Sequence, residues 1–182
     1  MLRRIIRSLL YRIRGDYTTE KLVEMGLRVG KNFSRLEGVI IDPAHCWLID
    51  IGDDVTMAPR VHILAHDAST VHYLGCAKIG RVNIGNRVFI GASTVVLPNV
   101  SIGDDVIVGA NSTVTRSLES GYVYAGTPAK KICSVEEFIE KNKKLRNECP
   151  YYGEEFTTRQ NVDDEKKEKM RKELENSCGF VK

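Results

Sequence analysis

Residues 84–119 read IGNRVF IGASTV VLPNVS IGDDVI VGANST VTRSLE and repeat one pattern every six residues. The first position of each unit is aliphatic: Ile84, Ile90, Val96, Ile102, Val108 and Val114. Glycine follows four of these six positions, at Gly85, Gly91, Gly103 and Gly109. A helix would place apolar residues about 3.6 apart and a strand about two apart, so neither explains this spacing. A period of six, rich in Val, Ile and Thr and punctuated by glycine, predicts a short strand followed by a sharp corner.

Three such units would close one triangular coil, with the aliphatic side chains pointing inward. A single unit cannot bury its own apolar face, and stacked coils bury a continuous column. An earlier block, IGDDVTMAPRVHILAHDA at residues 51–68, places Ile51, Met57 and Ile63 at the same spacing. The sequence therefore predicts an all-β fold built from stacked coils.

These units resemble those of the hexapeptide-repeat acyltransferases, in which an aliphatic residue and glycine are followed by four variable residues. The segment AGTPAKKI at 125–132 is similar to the exit segment of the maltose, galactoside and xenobiotic O-acetyltransferase branch. The resemblance implies a left-handed parallel β-helix over residues 27–133. An N-terminal helical segment (1–26) would precede it and a charged, helical C-terminal tail (134–182) would follow it.

Two irregularities interrupt the six-residue spacing. The separation of Val29 and Ile51 is not a multiple of six, which predicts an insertion around LEGVIIDPAHCW at 36–47. The separation of Ile63 and Ile84 exceeds three whole units by three positions, which predicts an excursion over HDASTVHYLGCAK at 66–78. We expect this excursion to leave the coil as a loop.

The excursion begins within RVHILAHDASTVHYLG, residues 60–75, which contains three of the four histidines of the chain. Acyl transfer to a hydroxyl needs a base that takes the proton of the acceptor, and histidine suits that role because its pKa lies near neutrality. The resemblance places the catalytic histidine in the coil after IGDDVTMAP and thereby favours His66. His62 belongs to the wall of the coil, and His72 is a weaker candidate for the base. Asp67 would either orient the imidazole or contact the acceptor.

The resemblance also implies an acetyl-CoA-dependent O-acetyltransferase that acts on a sugar or glycan by direct attack, without an acyl-enzyme or a required metal. On the acceptor side, we expect Asp67, Trp47 and His72 to contact the substrate. The positions expected to hold acetyl-CoA are Ala92, Ala110, Thr115, Arg116, Lys130 and Lys131. The backbone N–H of Ala92 would face the thioester carbonyl, and the two lysines would meet the nucleotide phosphates. Cys133 departs from the family pattern, which often has an arginine there.

Alternative functions remain open at this point. The same base and groove would serve an N-acetyltransferase that acts on an amino sugar. Three histidines in one stretch are also reminiscent of the γ-class carbonic anhydrases, although the spacing of His62, His66 and His72 does not match their zinc ligands. A non-catalytic scaffold on the same fold is the third alternative.

The net charge and the cysteine content of the chain indicate which partners and which cellular compartment to expect. A net charge of +3 does not indicate nucleic acid as a partner, and the five cysteines include no CxxC pair. This cysteine usage favours reduced thiols in a cytoplasmic protein.

Residues 2–13 predict a basic amphipathic helix, which would lie on an anionic membrane surface or pack on the coil or on a neighbouring subunit. The resemblance implies a homotrimer with active sites between subunits.

Overall fold

The computed structural model describes residues 17–182. The helix expected over residues 2–13 lies outside them. The chain divides into two compact units, Met1–Val135 and Glu136–Lys182. The first element described is helix α1 (Thr19–Glu24), whose N-terminus is capped by Thr18. The Thr18 hydroxyl accepts a hydrogen bond from the Lys21 N–H at 3.2 Å, which satisfies a donor that the first turn leaves free.

Short strands then follow one another along the repeats. The strands before the excursion are β1 (Arg28–Val29), β2 (Ser34–Arg35), β3 (Ile40–Ile41), β4 (Ile49–Ile51), β5 (Thr56–Met57) and β6 (His62–Ile63). The excursion contains β7 (His66–Asp67), the single helical turn α2 (Val71–Leu74) and β8 (Lys78–Ile79). After it come β9 (Val82–Ile84), β10 (Phe89–Ile90), β11 (Val95–Val96), β12 (Val100–Ile102), β13 (Ile107–Val108), β14 (Thr113–Val114), β15 (Tyr122–Ala125) and β16 (Lys130–Ser134).

The repeat strands form three sheets that the chain visits in turn. Sheet 1 has the order β1-β4-β9-β12, sheet 2 has β16-β15-β13-β10-β5-β2, and sheet 3 has β14-β11-β6-β3. Neighbouring strands are parallel except for the antiparallel pair β15 and β16. In the regular region the partners are three repeat units apart, as in Ile84 with Ile102 and Ile90 with Val108. The three-unit coil predicted from the sequence is therefore present.

The first residue of each unit points into the space that the three sheets enclose. Ile90, Val96, Val108 and Val114 are fully buried, and they belong to one continuous apolar core with the aliphatic residues of the earlier coils. A second buried set lies two residues before each strand end and includes Val88, Thr94 and Val106. Burial of this column is the main favourable contribution to the stability of the coil.

The glycines do not make the corners, contrary to the sequence expectation. The residue with a left-handed backbone is the fourth in five of the six units, and φ is between 54° and 63° at Arg87, Ser93, Asn99, Asp105 and Asn111. Glycine instead allows adjacent coils to approach closely. A Cβ atom at Gly91 would lie 2.5 Å from the backbone nitrogen of Ala110 in the next coil. The repeated glycine is therefore a packing requirement between coils.

Both irregularities of the sequence occur at the same edge of the coil. We call the edge where the chain passes from sheet 3 to sheet 1 the His66 edge. In a regular coil six positions cross it, from Val96 to Ile102, whereas ten separate Ile41 from Ile51.

The excursion is longer than the sequence indicates. Strand register makes the whole stretch from Ile63 to Ile84 one side of a coil. A regular side of the coil is a single unit of six residues. The separation of Ile63 and Ile84 therefore exceeds its regular length by far more than the three positions expected from the sequence. The excursion makes this side more than three times as long as a regular one.

The excursion is a short antiparallel stem with an exposed tip. His66 pairs with Ile79 and Asp67 pairs with Lys78 across β7 and β8. All residues from Val71 to Ile79 are exposed, including the apolar side chains of Tyr73 and Leu74. The excursion therefore leaves the coil as expected, and its base holds His66.

The second unit consists mainly of helix α3 (Val135–Glu148), which begins at the unit boundary, the parallel pair β17 (Tyr151–Tyr152) and β18 (Phe180–Val181), and helix α4 (Asp164–Glu173). The Sγ atoms of Cys149 and Cys178 lie 3.4 Å apart as free thiols. Within residues 17–182, no helix has the length and apolar character needed to cross a lipid bilayer.

The two roles at a corner can be separated by substitution. We expect Gly91→Ala to destabilise the protein by about 1–3 kcal/mol, because the added Cβ overlaps backbone atoms of the next coil. Ser93→Gly should change stability by less than about 1 kcal/mol, since glycine adopts positive φ without strain. Urea unfolding of both variants measures the difference. A larger loss of stability for Ser93→Gly than for Gly91→Ala would contradict the packing role of the glycine.

Candidate functional site

A carboxylate and an imidazole meet at the His66 edge. Asp42 follows the end of β3, and His66 begins β7 in the next coil. The Asp42 Oδ2 atom lies 2.5 Å from the His66 Nδ1 atom. The surplus residues of one coil and the excursion of the next thus bring together two side chains that are far apart in sequence.

Asp42 is buried and firmly held. Its side chain is 1% exposed, and its two oxygens accept hydrogen bonds from the backbone N–H groups of Ala44 and Ala65, both at 3.0 Å. Burial alone would raise the pKa of this carboxyl, but the hydrogen bonds from His66, Ala65 and Ala44 outweigh it and lower the pKa. Asp42 is therefore an ionised carboxylate at neutral pH.

This pairing determines which nitrogen of His66 is available. An ionised carboxylate only accepts hydrogen bonds, so Nδ1 of the neutral imidazole carries the proton. The lone pair of Nε2 is then left to receive a proton from another molecule. The His66 side chain is 36% exposed, so solvent or a substrate can reach it. The pair has the arrangement of a general base with a carboxylate that orients it.

Two more aromatic rings extend the site. The centroid of the His45 ring lies 5.3 Å from that of His66, and the centroid of the Trp47 ring lies 5.4 Å from that of His45. Trp47, in the 3-10 turn Cys46–Leu48, is 51% exposed. The predicted acceptor residue Trp47 is thus connected to the candidate base through His45.

The other residues predicted near the base do not join it. Asp67 is exposed and accepts a hydrogen bond from the Ser69 N–H at 2.9 Å. Of the alternatives left open for Asp67, the one in which it orients His66 does not match the structure, because Asp42 has that position.

His72 is exposed in α2, and His62 lies in β6, paired with Ile40 and Val95. The three histidines of the quoted stretch therefore do not converge. The histidine that approaches His66 is His45.

Four of the six residues predicted to hold acetyl-CoA lie on two different edges. Thr115 and Arg116 follow β14 and lie on the His66 edge, two coils beyond His66, or roughly 10 Å at about 4.8 Å per strand. Ala92 and Ala110 lie where the chain passes from sheet 2 to sheet 3, which we call the alanine edge. The Asn111 N–H donates to the Ala92 carbonyl oxygen at 2.7 Å, so the two corners are stacked.

The two predicted phosphate contacts differ in their surroundings. Lys130 and Lys131 lie in β16 on sheet 2, and both are exposed. The Lys131 Nζ atom lies 2.6 Å from the Glu119 Oε2 atom and 3.5 Å from the centroid of the Tyr122 ring. In the part of the chain that the structure describes, Lys130 makes no ion pair. Lys130 is therefore the better placed of the two to bind an anion.

Sequence reasoning missed Asp42 and gave no role to His45. Both residues belong to the DPAHCW segment, in which the sequence predicts a role only for Trp47. The useful signal was the surplus of residues between Val29 and Ile51, because the surplus residues must leave the coil at an edge. Polar residues in that surplus, close to a second interruption, were the candidates to consider.

Comparisons with known proteins agree with this architecture. Residues 81–116 match the family model described as bacterial transferase hexapeptide (six repeats). Protein CapG of Staphylococcus aureus is 36% identical over 134 residues, which cover 69% of this chain and 76% of that protein.

Two solved structures are also similar. A maltose O-acetyltransferase from Clostridium difficile 630 is 31% identical with a TM-score of 0.56, and the match covers 60% of this chain and 59% of that one. The acetyltransferase VCA0836 from Vibrio cholerae, complexed with acetyl coenzyme A, is 25% identical with a TM-score of 0.55, over 60% and 61% of the two chains. The match thus spans less than two thirds of either solved chain.

The lowered pKa of Asp42 predicts how stability depends on pH. A carboxyl whose folded pKa is below its unfolded value of about 3.9 stabilises the fold above that pH and loses the effect as pH falls through the folded pKa. We expect the difference in free energy of unfolding between the wild type and Asp42→Asn to be largest above about pH 5 and to shrink below about pH 4.

Urea unfolding of the wild type and of Asp42→Asn, at a series of pH values from above about pH 5 to below about pH 4, measures this difference in free energy. Asp67→Asn is the control, because the exposed Asp67 carboxylate is screened by solvent and its removal should have a much smaller effect. A difference for Asp42→Asn that grows on acidification would contradict the assignment of Asp42 as an ionised, hydrogen-bonded carboxylate.

Proposed function

The chain belongs to the hexapeptide-repeat acetyltransferase family, and we propose that it transfers an acetyl group from acetyl-CoA to a hydroxyl of a sugar or glycan. The observation that carries this proposal is the contact between Asp42 and His66 at the interrupted edge of the coil. The acetyl-CoA complex of VCA0836 supports the donor, and the similarity to a maltose O-acetyltransferase supports a hydroxyl acceptor.

The geometry supports direct transfer of the acetyl group from the thioester to the acceptor. Asp42 holds the proton on Nδ1 of His66, and Nε2 takes the proton of the acceptor hydroxyl as its oxygen attacks the thioester carbonyl carbon. The tetrahedral intermediate then collapses, the C–S bond breaks, and the imidazolium gives its proton to the departing sulfur of CoA. The carboxylate of Asp42 stabilises the imidazolium while the intermediate exists. No acyl-enzyme is needed.

The acceptor would lie against the rings of Trp47 and His45. The exposed indole of Trp47 packs beside His45, which in turn lies beside His66, and it offers an apolar face on which a sugar ring can pack. Asp67 and His72, at the base and in the tip of the excursion, remain proposed contacts of the acceptor. An amino sugar would present an amine to the same base, and a panel of both kinds of acceptor distinguishes O- from N-acetylation.

The acyl carrier would bind along the alanine edge, with its phosphates near Lys130. There the backbone N–H of Ala92 would face the thioester oxygen, and Thr115 and Arg116 would contribute from the His66 edge. The two edges lie at opposite ends of the strands of sheet 3, and the four to five residue steps from Ala92 to the far end of β11 correspond to roughly 15 Å at about 3.3 Å per residue. A homotrimer in which the His66 edge of one copy meets the alanine edge of the next would bring the two groups together.

Three further features belong to this proposal. The family match supports a left-handed winding of the coil, which would be an exception to the right-handed rule for crossovers between parallel strands. We place the protein in the cytoplasm, where acetyl-CoA is made and consumed. The basic segment at residues 2–14 would add a peripheral contact with anionic membranes, which suits a glycan acceptor carried on a lipid.

Removal of the base should abolish most of the activity. We expect His66→Ala to lower kcat by roughly 100-fold or more, with little change in the KM for acetyl-CoA. Asp42→Asn should lower kcat by at least about tenfold, because the imidazole loses its fixed tautomer. Release of CoA thiol is measured across a panel of sugars, glycans and amino sugars. His62→Gln, in the wall of the coil, is the matched control. Wild-type turnover in His66→Ala would refute the mechanism.

The two lysines of β16 should contribute unequally to binding of the carrier. We expect Lys130→Ala to raise the Kd for CoA by roughly tenfold or more, which corresponds to the loss of one charge-assisted hydrogen bond. Lys131→Ala should have a smaller effect, since the Lys131 ammonium already pairs with Glu119. Calorimetric titration with CoA measures both variants. Equal effects, or a larger effect of Lys131, would contradict this placement of the phosphates.

A further inference from the structure

A third potential ligand completes a compact group around the Asp42–His66 pair. Asp42, His45 and His66 each place one potential ligand atom within 4.8 Å of the other two. We propose that these three residues form a binding site for a divalent transition-metal ion such as Zn²⁺. We further propose that the bound ion inhibits the enzyme, and this second part rests on the proposed function.

The donor atoms define the class of ion. Two imidazole nitrogens and one carboxylate oxygen suit Zn²⁺, Ni²⁺ or Cu²⁺, whereas Mg²⁺ and Ca²⁺ prefer a shell of oxygen atoms. Cys46 lies next to His45 in sequence, but its thiol is fully buried and its Sγ contacts the Leu22 carbonyl oxygen at 3.6 Å. The sulfur therefore points into the core and does not join the group.

His45 supplies an independent observation. Its Nδ1 atom is buried and has no hydrogen-bond partner among residues 17–182. A buried polar atom without a partner is unfavourable, and native structures rarely leave one unless an ion, a water molecule or a ligand satisfies it. A metal ion coordinated by Nδ1 of His45 would provide the partner that the described residues do not supply.

The distances require only small movements. Bonds of about 2.0–2.2 Å to a tetrahedral ion place its ligand atoms roughly 3.3–3.6 Å apart. The spacing of up to 4.8 Å would have to close by about 1 Å, and the 2.5 Å contact between Asp42 and His66 would have to open by a similar amount as the ion replaces the shared proton. Backbone hydrogen bonds from Ala44 and Ala65 already fix the carboxylate.

Binding of the ion and base catalysis exclude each other. An ion on Nδ1 of His66 forces the proton of the neutral ring onto Nε2, which can then no longer accept a proton from the acceptor. An ion on Nε2 occupies the same lone pair directly. In either case His66 loses its free basic nitrogen, so an occupied site has no general base.

Titration calorimetry with ZnCl₂ tests the binding. The full-length protein carries Cys149→Ser and Cys178→Ser in every sample, because that thiol pair could bind zinc by itself. We expect one Zn²⁺ per chain, and His45→Asn should weaken binding by at least roughly tenfold. His62→Asn is the matched control and should bind like the parent protein, and MgCl₂ should give no binding.

Histidine NMR resonances provide a second readout that does not depend on one variant. Sub-stoichiometric Zn²⁺ should shift the ring signals of His45 and His66 and leave those of His62 and His72 unchanged. Unchanged His45 signals, or equal zinc affinity in the parent protein and a folded His45→Asn variant, would overturn the proposed site. Circular dichroism confirms that the variant is folded, and His45→Gln replaces it if it is not.

Thiol release from acetyl-CoA tests the inhibition separately. Zn²⁺ should suppress turnover at the concentration at which it binds, EDTA should restore turnover, and His45→Asn should be at least roughly tenfold less sensitive. If no acceptor is acetylated at all, the proposed function fails while calorimetry and NMR still decide the metal site. Undiminished turnover with zinc bound would overturn the inhibitory role.

Discussion

The structure depends on the hydrogen bonds that join each coil to the next in strict register. The Gly85 N–H donates to the Ile102 carbonyl oxygen and the Gly91 N–H donates to the Val108 carbonyl oxygen, both at 2.8 Å. Because strands within a sheet are bonded to the coils above and below, an added residue inside a strand would move its inward side chains to the outside. Coils can therefore gain residues only at their edges. The close approach of backbones at Gly91 and its equivalents further limits what a corner can contain.

This constraint explains where polar chemistry can be placed in a fold whose interior is mainly aliphatic. At the His66 edge, two adjacent coils depart from the regular path, one by a few surplus residues and the next by the excursion. The departures lie one above the other, so the residues at their bases meet. Asp42 remains buried at the end of a core strand while His66 faces outward. A rigid scaffold thus positions a loop residue, an arrangement that binding and catalytic sites frequently use.

Much of the fold could be predicted from the sequence, because the period of six is a local property that each coil repeats. The catalytic candidate His66 could also be identified from the sequence, since it marks the point where the six-residue period ends. The partner of His66 could not be identified, because a surplus of residues between Val29 and Ile51 does not reveal at which of the three edges those residues leave the coil. Asp67 was a candidate for orienting the imidazole only because it follows His66 directly in the sequence. In an extended strand, however, adjacent side chains point in opposite directions, and the carboxylate that meets His66 comes from the coil before it.

The separation of the two edges gives a physical argument for assembly. In the proposed reaction the base must reach the acceptor hydroxyl, and the Ala92 N–H must reach the thioester oxygen, both at about 3 Å. The acceptor and the thioester are joined in the transition state, so both protein groups must lie within a few ångströms of one tetrahedral carbon. Within one chain they are held roughly 15 Å apart by sheet 3, whose strands are bonded to their neighbours and cannot fold over. The proposed site is therefore complete only where the His66 edge of one copy faces the alanine edge of another, and three-fold closure satisfies every such pair with one repeated contact.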